Sequence, residues 1–318
     1  MRQLIVNADD FGRHELINKA VAEAFAKGIL RSATLMPGGA AFADAVAVAR
    51  ANRKLGVGVH FTLVNGNPIL KPSEIPSLVT EKGVFYDDYT LFVKHYLQGR
   101  VNMAEVKAEL AAQLAKMEQT GLKLTHVDSH QHMHTLPGII DIVLKLAQDA
   151  KIKAVRIPKT ELFCGNFGGL GQLIGRFGLG TLARLAAHKA HKLGFKTPDF
   201  FAGIVAGEAV SEDFLCQLVA KQADGVTEVM LHPGMSNAVL VPYCAWQHDF
   251  EKDRAVSAAV DNDRFGQRIR QTPEEIPQEK RMSADVGCYI HQNQTGTRPD
   301  QAVCQARKRN ALQDQELR

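Results

Sequence analysis

Four histidines fall within nine residues of this chain, in Thr125-His126-Val127-Asp128-Ser129-His130-Gln131-His132-Met133-His134, out of twelve in all. Two adjacent carboxylates, in Asn7-Ala8-Asp9-Asp10-Phe11-Gly12, directly follow an apolar run. Imidazole nitrogens and carboxylate oxygens are the donors that a divalent first-row metal prefers. The chemistry this points to is metal-dependent hydrolysis. Neighbouring residues on a strand point to opposite sides, so one of the two aspartates can bind a metal while the other takes a proton. Taken alone, the pair reads more readily as a solvated loop start with Asp10 capping a helix, whereas a polar surface loop is the lesser reading of the His-rich run, which follows an apolar strand and precedes an apolar helix.

The elements that must position these residues alternate. Leu4-Ile5-Val6 reads as a strand buried on both faces, with Asp9 and Asp10 at its C-terminal end. Ile17, Ala20, Val21, Ala24 and Phe25 then form one face of a helix that Gly28 ends. Further strands are expected at 32–36, 55–61 (ending near His60), 124–129, 154–157 (closed by Pro158), 201–205 and 226–231 (ending at His232-Pro233-Gly234). Helices are expected at 40–51, 104–119, after Pro137 and after a Ser211 cap. The Pro-containing stretch 65–100 reads as a long loop with short elements.

About seven strand–helix alternations imply a parallel α/β sheet, expected here as an irregular (β/α) barrel. Asp9, Asp10, His60, His130, Arg156 and His232 all fall at expected C-terminal strand ends, the face that carries chemistry in such a barrel. An open doubly wound sheet would also gather them at one edge. For each histidine by itself, a satisfied core position is the commoner outcome. His132 and His134 either line the cleft or begin the next helix.

Residues 160–196 differ in composition. Seven glycines lie between Gly165 and Gly180, and no acid occurs between Glu161 and Asp199. This is expected to be a helical insertion over the barrel mouth, serving as a lid, a homodimer contact or an ordinary solvated excursion. After residue 249 the periodicity dissolves into a Gln-rich polar stretch. The expected division is therefore a barrel over 1–249 and a weakly ordered tail over 250–318.

The chain has 318 residues, 45% hydrophobic and 23% charged, ordinary for a globular protein with a substantial core. A net charge of +4 does not argue for nucleic acid. Five scattered cysteines, none in Cys-x-x-Cys, suit free thiols in a reducing compartment. With no signal-like N-terminus and no long apolar stretch, the expected location is the cytoplasm, with no transmembrane segment.

The segments Asn7-Ala8-Asp9-Asp10-Phe11-Gly12, Gly58-Val59-His60-Phe61, His126-Val127-Asp128-Ser129-His130-Gln131-His132 and His232-Pro233-Gly234 resemble the YdjC-like carbohydrate deacetylase family. That family takes in chitooligosaccharide (diacetylchitobiose) deacetylases and hopanoid-associated members. The resemblance covers roughly residues 1–245. It implies a barrel and metal-dependent deacetylation of N-acetylated sugars, N-acetylglucosamine oligosaccharides or glycoconjugates. By position it implies Asp10, His60 and His130 as ligands of one Zn or Mg ion and Asp9 as the base. Arg156-Ile157-Pro158 is similar to the Arg-x-Pro motif of polysaccharide deacetylases, whose arginine steadies the catalytic aspartate, and His232 to their late catalytic histidine. Asp128 is expected to fix a histidine tautomer. The C-terminal segment departs from the family pattern. Two other readings compete: a metallophosphoesterase, which would want a second metal and bridging carboxylates, and a non-catalytic carbohydrate-binding barrel.

Overall fold

The structure, a computed structural model, describes residues 2–159, 170–203, 210, 211, 214, 215, 218, 219 and 223–259. Six strands are present among these residues: β1 (Arg2–Phe11), β2 (Ser32–Leu35), β3 (Gly56–Phe61), β4 (Leu124–Ser129), β5 (Phe200–Ala202) and β6 (Gly225–Leu231). They form one all-parallel sheet in the order β4-β3-β2-β1-β6-β5. Parallel strands need crossovers. These are supplied by α1 (Glu15–Lys27), α2 (Phe42–Ala51), α3 (Tyr89–Leu97), α4 (Met103–Glu118), α5 (Ile139–Asp149) and α6 (Leu170–Lys192), with α7 (Asn237–Cys244) and α8 (Phe250–Ala259) after the last strand.

The sheet is a curled half-barrel of six strands among the described residues, where the expected closed barrel of about seven is not seen. Residues 154–157 make only isolated bridges, Val127 to Val155 and Ala154 to Lys196. The physical reason is the partner. Lys196 sits between Gly194, at φ 78°, and Pro198, and the ladder there is one residue long. Those bridges lie beyond the β4 edge, yet β5 at the opposite edge begins at Phe200. Four residues of extended chain span at most about 14 Å, so the two edges must curl toward each other.

The core alternates as the pattern requires. Ile17, Ala20, Val21 and Ala24 of α1 are buried, as are Ile139, Ile140, Val143, Leu144 and Ala147 of α5. The long loop after β3 is fastened from below by α4. Buried Gln113 holds Thr62 through both backbone groups (2.9 and 2.7 Å), and buried Glu109 accepts the N–H groups of Ile69 and Leu70 (2.8 and 3.0 Å). A backbone rich in proline and otherwise short of partners is thereby satisfied.

Of the expected insertion, 160–169 lie outside the described residues. The rest is α6, which lays Ala183, Ala186, Ala187 and Ala190 inward and pairs Lys189 with Asp141 of α5 (2.7 Å). Ser211 accepts the Phe214 N–H (3.1 Å), as a cap does. The segment beginning at 250 opens with α8, packed on α1 with Phe250 and Asp253 buried. Residues 260–318 lie outside the described residues. No described helix is long and apolar enough to cross a membrane.

Candidate metal centre

Asp9 and Asp10 do not obey strand alternation. Three steps along β1, from Ala8 to Phe11, face two along β2, from Ala33 to Leu35. One extra residue makes a bulge, and Asp10 absorbs it at φ 59°, a left-handed conformation that aspartate tolerates better than most. The bulge turns both carboxylates to one side. Asp10 Oδ1 lies 3.4 Å and Asp9 Oδ2 4.0 Å from His60 Nε2. The expectation that the two aspartates point apart is corrected by this bulge.

His60, next to last in β3, stands opposite Asp128 of β4, with which it is in register. Its Nδ1 lies 2.7 Å from Asp128 Oδ1, so Nδ1–H donates to the carboxylate and Nε2 turns to Asp10. His130 follows β4, and its Nδ1 lies 2.9 Å from Asp10 Oδ1. The next residues, Gln131 and His132, have φ of 52° and 59°, so the chain turns sharply just after His130. Thus the structure brings Asp10, His60 and His130 together, each with one donor atom within 4.8 Å of the others, all buried.

Two observations fit a cation there. Asp10 Oδ1 and His60 Nε2 are buried, and neither makes a hydrogen bond of acceptable geometry. An uncompensated pair of this kind is costly unless a third body sits between them. Donors about 2.0–2.1 Å from a shared metal lie roughly 2.8–3.4 Å apart between right-angle and tetrahedral geometry, which the 3.4 and 2.9 Å spacings match. Asp9, His60 and Asp128 also cluster, but both Asp9 oxygens are engaged by an arginine.

That arginine is Arg156, brought over by the bridge to β4. Its Nη1 and Nη2 donate to Asp9 Oδ2 and Oδ1 at 2.6 and 2.7 Å, a bidentate fork. Its Nε donates to Glu228 of β6 (2.7 Å), and Nη1 also lies 2.6 Å from Asp128 Oδ2. The last approach is an ion pair without hydrogen-bond alignment. Asn7 and Thr34 complete the shell of Asp9 Oδ1 (2.8 and 3.4 Å).

The charges follow from these contacts. Burial alone would raise Asp9, but Arg156 and His60 together hold the carboxyl below its usual range. Burial likewise opposes ionisation of Asp10, and His130 and Arg13 hold it well down. Burial would lower His60, yet Asp128, Asp10 and Asp9 push it up to about 10. His130 goes down, chiefly by burial. Three ionised aspartates thus face two guanidiniums, Arg156 and Arg13, and favour the protonated form of His60, while burial pushes Glu228, the other partner of Arg156, up to about 7.

His232 follows β6, but its ring stands beside a second group, edge-on to Trp246 and His248 at 4.8 and 5.3 Å. Burial pulls it to about 4, with Asp9 and Asp10 acting the other way. Its backbone N–H goes to Asp253 Oδ2 (2.7 Å), which also takes His248 Nε2 (3.0 Å), while Oδ1 takes the Val210 N–H (2.8 Å). An aspartate with three N–H partners braces the strand end rather than awaiting an ion.

The other histidines of the cluster are not among the Asp10, His60 and His130 group. The ring of His126 lies over Gly58, where a Cβ would stand 2.6 Å from it. His134 Nε2 donates to the Arg156 carbonyl (2.7 Å), and its Nδ1 accepts from Ser129 Oγ (2.7 Å). His132 is buried edge-on to Phe201 (5.6 Å).

Three participants have no role in the sequence reading. Glu228 carried a signal, a charged residue inside an apolar strand. Arg13, which bonds Asp10 Oδ2 (3.0 Å), Asn65 Oδ1 (2.6 Å) and His130 Nε2 (3.3 Å), carried none, since its placement follows from the bulge. Asp253 lies in the segment whose periodicity had faded.

Residues 3–279 match the model of the YdjC-like protein family. A Brevibacillus brevis protein named carbohydrate deacetylase is 34% identical over 75% of this chain and 84% of its own length. A Thermoanaerobacter pseudethanolicus protein of the same name is 28% identical over 80% and 90%. A solved Enterococcus faecalis V583 protein, provisionally named for cellobiose-phosphate cleavage, superposes with a TM-score of 0.63 at 25% identity, covering 81% of this chain and 90% of that one. The chain belongs to the YdjC-like protein family.

Proposed function

We propose that this protein is a metal-dependent hydrolase that removes the acetyl group from an N-acetylated sugar. The observation that carries the reading is the convergence of Asp10, His60 and His130, with Asp10 Oδ1 and His60 Nε2 unpartnered, beside an aspartate clamped by Arg156. Relatives named carbohydrate deacetylase supply the substrate class. Asp10, His60 and His130 would hold the ion. The imidazoles suit zinc, and the carboxylate leaves magnesium open. Such an ion polarises a carbonyl and lowers the pKa of bound water toward ~7.

The remaining work falls to the chain's own residues. Asp9, ionised and held in one orientation by the Arg156 fork, is the base that removes the proton of the attacking water. Arg156 fixes where that carboxylate points, and Glu228 fixes Arg156. Asp128 keeps the His60 Nδ1–H occupied, so that Nε2 faces the centre. His232, on the next strand end, protonates the departing amine. His232 is neutral at rest, so it would first receive the proton that Asp9 has taken from water and then pass it to the amine as the C–N bond breaks.

The test is Asp9→Asn. Metal content should stay at the wild-type level while acetate release from N-acetylglucosamine oligosaccharides falls about 10²–10⁴-fold. Undiminished turnover in Asp9→Asn would remove Asp9 as the base.

A further inference from the structure

On the reading above, His232 takes a proton from Asp9 and hands it to the leaving amine, so a ring nitrogen must face the centre. A separate structure surrounds that ring. Ala245 takes φ 51°, which turns the chain after α7 and brings Trp246 beside the end of β6. Trp246 stacks on His248, with 4.1 Å between centroids and 15° between planes, and Phe250 stands edge-on to both at 5.7 and 5.0 Å. His232 is nearly upright against this stack, at 82° to the indole and 75° to the imidazole. Rings favour such edge contacts, and turning His232 about its Cβ–Cγ bond would give up both.

The connection from α7 to α8 that carries this wall is fastened along its length. Asp253 Oδ2 accepts both the His232 backbone N–H (2.7 Å) and His248 Nε2–H (3.0 Å), so strand end and wall share one buried anchor. The Gly234 N–H donates to the Phe250 carbonyl (2.9 Å), an approach so close that a Cβ on Gly234 would stand 2.8 Å from the Phe250 Cβ. Asn237 Nδ2 donates to Asp249 Oδ1 (2.7 Å) and the Asn237 N–H to Glu251 Oε1 (2.8 Å), which pins the connection to the start of α7. The titratable groups that act on the charge of His232 are Asp9 and Asp10 from β1, His248 from the connection and Asp253 from α8.

We propose that Trp246 and His248, anchored by Asp253, are positioning residues that hold the His232 ring in one orientation beside the Asp9 and Asp10 pair. The proton-donor role of His232 rests on the deacetylase reading above; the hold on its ring does not.

Two measurements test it. The first is acetate release from an N-acetylglucosamine oligosaccharide. Trp246→Leu and His248→Leu should each lower kcat at least tenfold, because a group misplaced by about 1 Å can cost about 10²-fold in rate. KM and bound metal should stay as in wild type. His248→Gln, which keeps an N–H for Asp253, should recover most of the loss. Wild-type kcat in both leucine variants overturns the proposal, and so does a loss that appears only in KM or metal content. The second measurement needs no turnover. Histidine-ring NMR follows protonation of His232, whose signals are those missing from His232→Gln. Burial holds this ring at about 4. Opening the wall admits water, so the step should rise by about one pH unit in Trp246→Leu and His248→Leu, and by less in His248→Gln. The glutamine variant leaves the buried anchor intact and serves where a leucine variant fails to fold. If no sugar releases acetate, the deacetylase reading fails, and the NMR comparison alone decides the hold on the ring. A step that stays in place in every folded variant refutes it.

Discussion

Uptake of one divalent cation at pH 7 should expel one proton. His60 stands between Asp128 and Asp10, which with Asp9 push its pKa up to about 10 against the effect of burial. At pH 7 the ring is protonated in all but roughly one molecule in a thousand. A metal must take Nε2 in its neutral form. Displacing the proton costs about 4 kcal/mol at pH 7, so the apparent Kd is about 10³-fold weaker than it would be above pH 10. The affinity should therefore rise about tenfold per pH unit between pH 6 and 9. Calorimetry of zinc binding, repeated in buffers of different ionisation enthalpy, reads the proton count directly. One proton per ion is expected, and His60→Ala should reduce both the count and the affinity. A pH-independent Kd with no released proton would refute the charge balance drawn for this centre.

Other consequences are separable from it. Gly58→Ala should cost about 1–3 kcal/mol in urea unfolding, because its Cβ would stand 2.6 Å from the His126 ring; the penalty should vanish in a His126→Ala background, and an unchanged cost there would contradict the packing. Burial lowers His134 to about 4 in the folded protein, below the 6.5 of an open chain. Protonation therefore favours unfolding, and its contribution of about 3 kcal/mol is complete above pH 6.5 and lost as pH falls through 4. Equal acid sensitivity of wild type and His134→Gln would discount this. Arg156→Lys cannot serve Asp9 and Glu228 at once, so a stability loss of about 3–5 kcal/mol is expected by thermal or urea unfolding. A fully stable Arg156→Lys protein would show that the fork is dispensable.

Much of this arrangement is legible in the sequence because strand ends are legible. The apolar runs ending near Asp9, His60, Ser129 and Leu231 become β1, β3, β4 and β6, and parallel pairing then gathers their C-terminal residues without further instruction. Asp10, His60 and His130 meet for that reason. What escaped the sequence depends on a partner rather than on the segment itself. The run at 154–157 has strand composition, but its ladder is limited by what Lys196 can offer. The bulge at Asp10 has no glycine to announce it, and it carries Arg13 with it. The tie from Glu228 to Arg156 joins residues 72 positions apart. His126 and His134 looked like ligands by type, yet neighbours unreadable from spacing, Gly58 and Ser129, make them packing and bracing groups.

The most direct measurement is acetate release by chelated protein during stepwise return of zinc or magnesium, with bound metal determined in the same samples. Activity on an N-acetylglucosamine oligosaccharide should be absent without metal and plateau at one ion per chain. It should stay absent in His130→Ala, which should also fail to retain the ion. Full acetate release from metal-free protein, or from His130→Ala, would contradict a hydrolytic centre built on Asp10, His60 and His130.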